Sequence, residues 1–199
     1  KYPEEQIKEP DTIVKPQEII KIPTDVAKIA YTIKINPQSL NIDKRKLNIY
    51  LYILFNLLFS DVSKFDYDMK KAKIITSTLS YNLLDTDTHL LISLINETDK
   101  YEELIKEIDK NLKNININEK DFERKKKVLI SNEIFSYENI TLVNEMIVDN
   151  IIFDGKIEAN ILDIIKSLTI QELNKIITKM DLTNKNIVII KNSEKNEQL

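Results

Sequence analysis

The chain has 199 residues, 29 Lys+Arg against 32 Asp+Glu and a net charge of −3, enough length for one sizeable core. Its scarcities exclude more than its abundances: one Gly (Gly155), one His (His89), no Cys and no Trp. Glycine-rich phosphate loops, the G-x-S-x-G elbow, thiol chemistry, thiolate zinc sites and two-histidine zinc motifs all need residues this chain lacks.

All five prolines (Pro3, Pro10, Pro16, Pro23, Pro37) fall near the start. Proline fixes φ, removes a donor and holds its predecessor extended, so residues 1–24 are expected to be an extended, linker-like arm. A single α+β domain over residues 25–191 and a disordered polar tail over 192–199 complete the expected organisation.

Ile29, Tyr31, Ile33 and Ile35 alternate with less apolar residues, the period of a half-buried strand ended by Asn36-Pro37. Leu47, Leu51, Leu54 and Leu58 lie at helical spacing in a run, residues 40–59, that is apolar on most sides, which predicts a central buried helix. Ser60-Asp61-Val62-Ser63 breaks it and caps a short helix reaching about Lys71. Two strand-like runs, residues 74–84 and 88–95, flank Asp85-Thr86-Asp87 and read as a hairpin.

Asp99 is expected to cap a helix striped by Tyr101, Leu104, Ile105, Ile108 and Leu112. Helices follow near residues 119–135, 137–153, 158–167 and 169–180, the last opened by the capping-box sequence Thr169-Ile170-Gln171-Glu172. Residues 186–191 make a final strand. The order of elements predicts an α+β fold: a mostly antiparallel sheet with helices packed on one face.

Mixed charge and a pI near 5.4 argue against nucleic acid as a partner. Of the basic residues only Arg45 and Arg124 are arginine, and Arg124-Lys125-Lys126-Lys127 reads as a solvated helical face, as do Glu102, Glu103 and Glu107. The longest apolar run, residues 49–59, is too short to span a bilayer, and no signal-like segment opens the sequence, so the expectation is a cytoplasmic protein without membrane contact.

His89 invites a metal or general-base role, but without a second His nearby it reads as structural. Asp85 and Asp87 could hold a hard cation, though turn chemistry accounts for them. Tyr50 and Tyr52, near Phe55, either line a peptide chamber or pack in the core, and packing is favoured at this spacing.

Leu57-Leu58-Phe59-Ser60-Asp61-Val62-Ser63-Lys64-Phe65 resembles the turn between a long and a short helix in zinc peptidases of the pitrilysin/insulinase type. The hairpin, Tyr101-Glu102-Glu103-Leu104, Phe122-Glu123-Arg124-Lys125-Lys126 leading to Ile134-Phe135-Ser136, and Leu168-Thr169-Ile170-Gln171-Glu172-Leu173-Asn174 are similar to successive elements of the same domain. The resemblance runs over about the whole chain and is strongest to bacterial members.

It implies a half of about 200 residues from a clamshell that closes over a peptide. In that family the H-x-x-E-H zinc motif lies in the first half; this sequence lacks it and so resembles the C-terminal, non-metal half, following the linker. The implied cofactor is zinc in the other half and none here. The implied partners are the N-terminal metal-binding half of the same protein, or a homologous subunit, and a peptide substrate. An Arg and a Tyr seven residues apart, which many members lend to the substrate carbonyl, correspond to Lys70 and Ser77, neither of the expected type. A non-catalytic subunit that pairs with an active relative is the alternative reading.

Overall fold

The computed structural model describes residues 9–86, 88–155 and 161–193. Residues 1–8 of the expected arm, Asp87, the first residues of the helix expected at 158–167, and 194–199 of the expected tail lie outside the described residues. Among the described residues five strands, β1 (Gln17–Lys21), β2 (Lys28–Ile35), β3 (Ser80–Asp85), β4 (Leu90–Glu97) and β5 (Lys185–Lys191), form one sheet in the order β1-β5-β2-β4-β3. Only β1 and β5 run parallel; β5-β2, β2-β4 and β4-β3 are antiparallel.

β2 sits in the middle because it is apolar on the face that must be buried. Ile29, Tyr31, Ile33 and Ile35 point into the core beside Leu90, Ile92 and Leu94 of β4 and Ile187 and Ile189 of β5. The opposite face carries Thr32, whose hydroxyl meets that of Ser93 at 2.9 Å, and leaves Leu84 and Ile95 exposed. Helices α1 (Lys44–Phe59), α2 (Lys64–Lys71), α3 (Tyr101–Lys113), α4 (Glu119–Ser136), α5 (Ile140–Asp149), α6 (Ile161–Ser167) and α7 (Ile170–Lys179) fill the rest of the order, and the shared core joins the apolar sheet face to α1, α2, α3, α4 and α7.

Helix α1 is the hub. Asp43 caps it, accepting from the Lys46 N–H at 2.9 Å, and Leu47, Tyr50, Leu51, Ile53, Leu54 and Phe55 are wholly buried along it. It begins at Lys44 and not at Leu40, because Pro37–Leu40 forms a separate 3-10 turn ended by Asn41 with φ 50°. Ser63 caps α2, accepting from the Asp66 N–H at 3.1 Å.

Three local expectations change. Gln17–Lys21, inside the segment read as an arm, is an edge strand of the sheet, paired in parallel with β5. Residues 74–79 are not strand: β3 starts at Ser80 opposite Ile95, and the preceding carbonyls are taken by side chains, Ile74 by the Thr98 hydroxyl at 2.5 Å and Ser77 by Asn96 Nδ2 at 2.9 Å. Their β-branched residues favour extension, but the end of β4 offers side chains there in place of a ladder. Asp99 does not cap α3; it accepts from the Ala27 N–H at 3.1 Å, fastening the entry of β2, while Thr98 accepts from Lys100 N–H.

Candidate functional site

The C-terminal half of α1, the turn that follows it and the start of β3 form an aromatic hollow. It has a volume of about 480 Å³ and is lined by Tyr52, Phe55, Phe59, Asp61, Thr78 and Tyr81 among others. The helical spacing of Tyr52, Phe55 and Phe59 puts all three on the side of α1 that meets β3. Tyr81 stacks on Phe55 with ring centroids 5.6 Å apart and meets Tyr52 edge-on at 6.4 Å. The ammonium of Lys125 lies over the Tyr52 ring at 5.5 Å. Burial lowers the pKa of Lys125 despite the opposing pull of Asp61. Burial likewise raises the Tyr81 phenol well above its usual range, and its buried hydroxyl has no hydrogen-bond partner among the described residues.

Lys70 and Ser77 stand beside this hollow. The Lys70 ammonium pairs with the buried Asp66 at 2.8 Å and donates to Thr78 Oγ1 at 2.8 Å, so its charge is already engaged. Ser77 is exposed, and its carbonyl is held by Asn96. A second, 600 Å³ depression lies on the neighbouring side of α1 and α4, lined by polar residues such as Asn56, Asn111, Asn114, Asn118 and Arg124.

The remaining candidates separate cleanly by surroundings. Tyr50 is fully buried, against Tyr52 at the surface of the hollow. The Tyr50 hydroxyl accepts from Thr169 N–H at 2.8 Å and donates to Glu172 Oε2 at 2.7 Å, and Lys46 pairs with the same carboxylate at 2.6 Å. The capping-box sequence is therefore opened up by a phenol: Thr169 accepts from Glu172 N–H at 3.3 Å, but the return bond runs through Tyr50.

His89 is 1% exposed and lies in the turn just before β4, not within the strand expected for it. Its Nε2 is 3.1 Å from Asp11 Oδ1, and its Nδ1 is 2.8 Å from Thr88 Oγ1. Lys34 adds a 2.8 Å bond to the Pro10 carbonyl, and Asn184 accepts from Ile13 N–H and donates to the Asp11 carbonyl, both at 2.8 Å. His89 thus belongs to a polar clasp on the N-terminal segment. Asp85 pairs with Lys44 and accepts from Asn48 Nδ2 at 2.9 Å; Asp87 lies outside the described residues.

The basic run is only partly solvated. Arg124 pairs with Asp121 at 3.1 Å, Lys125 covers Tyr52, and Lys126 donates to the Leu168 carbonyl at 2.7 Å, bolting α4 to the start of α7. Glu102 and Glu103 are exposed in the first turn of α3, and Glu107 pairs with Lys110 at 3.1 Å. The aromatic hollow escaped the sequence reading because Tyr81 comes from another element; its one sequence signal was Tyr52 flanking Phe55 on a helix.

Among the described residues no group of three His, Cys, Asp or Glu is placed to hold a metal ion, and no helix is long and apolar enough to cross a membrane. The site offers aromatic surface, one phenol without a partner and engaged cations, a set suited to binding and packing.

No protein-family model matches the sequence, and no curated protein matches it. Solved structures do. An M16-like peptidase from Alicyclobacillus acidocaldarius superposes with a TM-score of 0.79 at 15% identity, over 92% of this chain and 45% of that one. A protease from Helicobacter pylori gives 0.71 at 16% identity, over 92% and 46%. The inactive domain of an M16 peptidase from Pseudomonas fluorescens gives 0.67 at 13% identity, over 94% and 46%. The chain has the fold of an M16, pitrilysin-type half-domain, and spans about half the length of these solved structures.

Proposed function

We propose that this chain is the C-terminal, non-metal half of a pitrilysin/insulinase-type zinc peptidase, forming the chamber wall that closes over an extended peptide. One observation carries the reading: nine-tenths of the chain matches the two M16 structures named above while spanning less than half of each. The sequence contains no H-x-x-E-H, so on this reading zinc and the water-activating Glu would belong to the other half. Peptide would lie over the aromatic hollow, whose Tyr52 and Tyr81 offer side-chain contact, with Lys70 and Ser77 at the positions nearest the substrate carbonyl.

A second reading, a non-catalytic peptidase-like subunit paired with an active relative, is favoured by the state of Lys70. Its ammonium is neutralised by Asp66, and Ser77 cannot replace a phenol. One experiment separates the two. The intact gene product is sequenced and assayed for zinc-dependent cleavage of unstructured peptides, with Lys70→Ala and Asp66→Asn compared. The first reading expects an H-x-x-E-H half, chelator-sensitive turnover, and a several-fold rise in KM for Lys70→Ala that Asp66→Asn does not reproduce. A half of the same fold without that motif, inert with zinc, gives the second reading; a product with no other half-size unit overturns both.

A further inference from the structure

Helix α5 and the π-helical turn that continues it, Asn150–Asp154, form an apolar helical unit without a buried residue of its own in α5. Ile140, Leu142, Val148, Ile151 and Ile152 are all exposed, Ile140 by 85%, and Phe135 at the end of α4 extends the surface. A short helix draws most of its stability from burying an apolar face against something else. This one is capped by Asn139, which accepts from Thr141 N–H at 3.0 Å, and tethered by Arg45 Nη2 donating to Asn150 Oδ1 at 3.1 Å; Val143, Met146 and Ile147 are half-buried, but the five residues named above remain open. Patches of this kind mark interaction surfaces.

Two further facts choose the occupant. Residues 137–152 contain Glu138, Glu145 and Asp149 and no Lys or Arg, so the surface is apolar with an acidic edge and fits an apolar partner patch edged by basic residues. The three solved structures described above each continue for more than this chain's own length beyond the match. We propose that α5 and the π-helical turn are the face on which the companion half-size domain of the same polypeptide docks. The proposal rests on the two-half reading above and adds the surface through which the halves meet.

The test compares the 199-residue chain with the intact gene product. In the intact product, amide exchange over residues 140–152 should slow at least tenfold relative to the isolated chain. A photo-reactive phenylalanine replacing Leu142 or Ile151 should cross-link to residues outside 1–199. With the companion half supplied separately, Ile140→Lys/Ile151→Lys should weaken association at least thirtyfold with an unchanged circular dichroism spectrum, because both side chains are exposed in this chain. Lys120→Glu on α4 should change it less than threefold.

Cross-links confined to a second copy of residues 1–199, or exchange that does not slow, would overturn the docking face. If the intact product holds a second half-size unit that cross-links elsewhere, only this inference fails. If it holds none, the two-half reading fails first.

Discussion

Tyr50→Phe isolates a single hydroxyl at the junction between α1 and α7. The ring is wholly buried and stacks on Phe122 with centroids 6.4 Å apart, and phenylalanine keeps that packing and volume. What disappears is the oxygen that accepts from Thr169 N–H and donates to Glu172. Glu172 keeps Lys46, so its charge is not orphaned. The Thr169 N–H at the start of α7 loses its acceptor, and an unsatisfied donor of this kind costs about 1–3 kcal/mol.

The expected loss is therefore about 2 kcal/mol, or roughly 4–8 °C in Tm for a chain of this size. Urea unfolding followed by circular dichroism measures it, with an unchanged m-value as the sign that the native and denatured states keep their compactness. A change below about 0.5 kcal/mol would refute the assignment, since it would mean that water or Glu172 replaces the phenol at no cost. A loss above about 4 kcal/mol would refute it in the other direction, by showing that ring packing was disturbed.

Leu51→Ala, at the centre of the buried face of α1, should cost about 2–5 kcal/mol by the same assay, through lost burial and the cavity left behind. Asn184→Ala removes the acceptor of Ile13 N–H and the donor to the Asp11 carbonyl, so limited proteolysis should cut residues 9–16 faster while the core of the sheet stays protected. Acid should weaken the chain through two carboxylates: burial works to raise Glu172, but Lys46 and Tyr50 outweigh it and hold its pKa below the ordinary value, and hydrogen bonds from Thr183 hold Asp181 low. A depressed folded pKa means stability that is present above the unfolded value near pH 4–4.5 and lost as pH falls through the folded one, so unfolding midpoints should drop below about pH 4.5, and less steeply in Tyr50→Phe.

The fold was legible where one face of one element carried the signal. The alternation of Ile29, Tyr31, Ile33 and Ile35 located β2 to within a residue, and the leucine spacing of 47, 51, 54 and 58 located α1. Expectations shifted where a distant partner decided the outcome. Ile74 and Ile75 look like strand in isolation, yet the carbonyls of Ile74 and Ser77 are claimed by Thr98 and Asn96. Asp99 has the chemistry of a cap, yet the Ala27 N–H across the sheet takes its carboxylate. Gln17–Lys21 lies in a proline-bearing segment that reads as a linker, and only the open edge of β5, some 170 positions away, turns it into strand β1. Local propensity cannot encode such choices, because the competing donor or acceptor is absent from the local window.

Site chemistry followed the same division. That His89 has no second histidine beside it was visible at once; that Asp11 supplies its partner required the N-terminal segment to fold back over the end of the sheet. Lysines 125 and 126 read as surface charges because their neighbours in sequence are charged, whereas in space one lies over Tyr52 and the other reaches the Leu168 carbonyl. The scarcity of glycine and histidine therefore bears on mechanism in a specific way. A chain with one imidazole, already held in a clasp, and with its hollow-facing cations engaged, has polar groups committed to holding α1, α4, α7 and the N-terminal segment in register. Among its uncommitted surfaces are two apolar and aromatic ones: the hollow around Tyr52 and Tyr81, and the exposed residues of α5. Surfaces of that composition recognise by shape and burial.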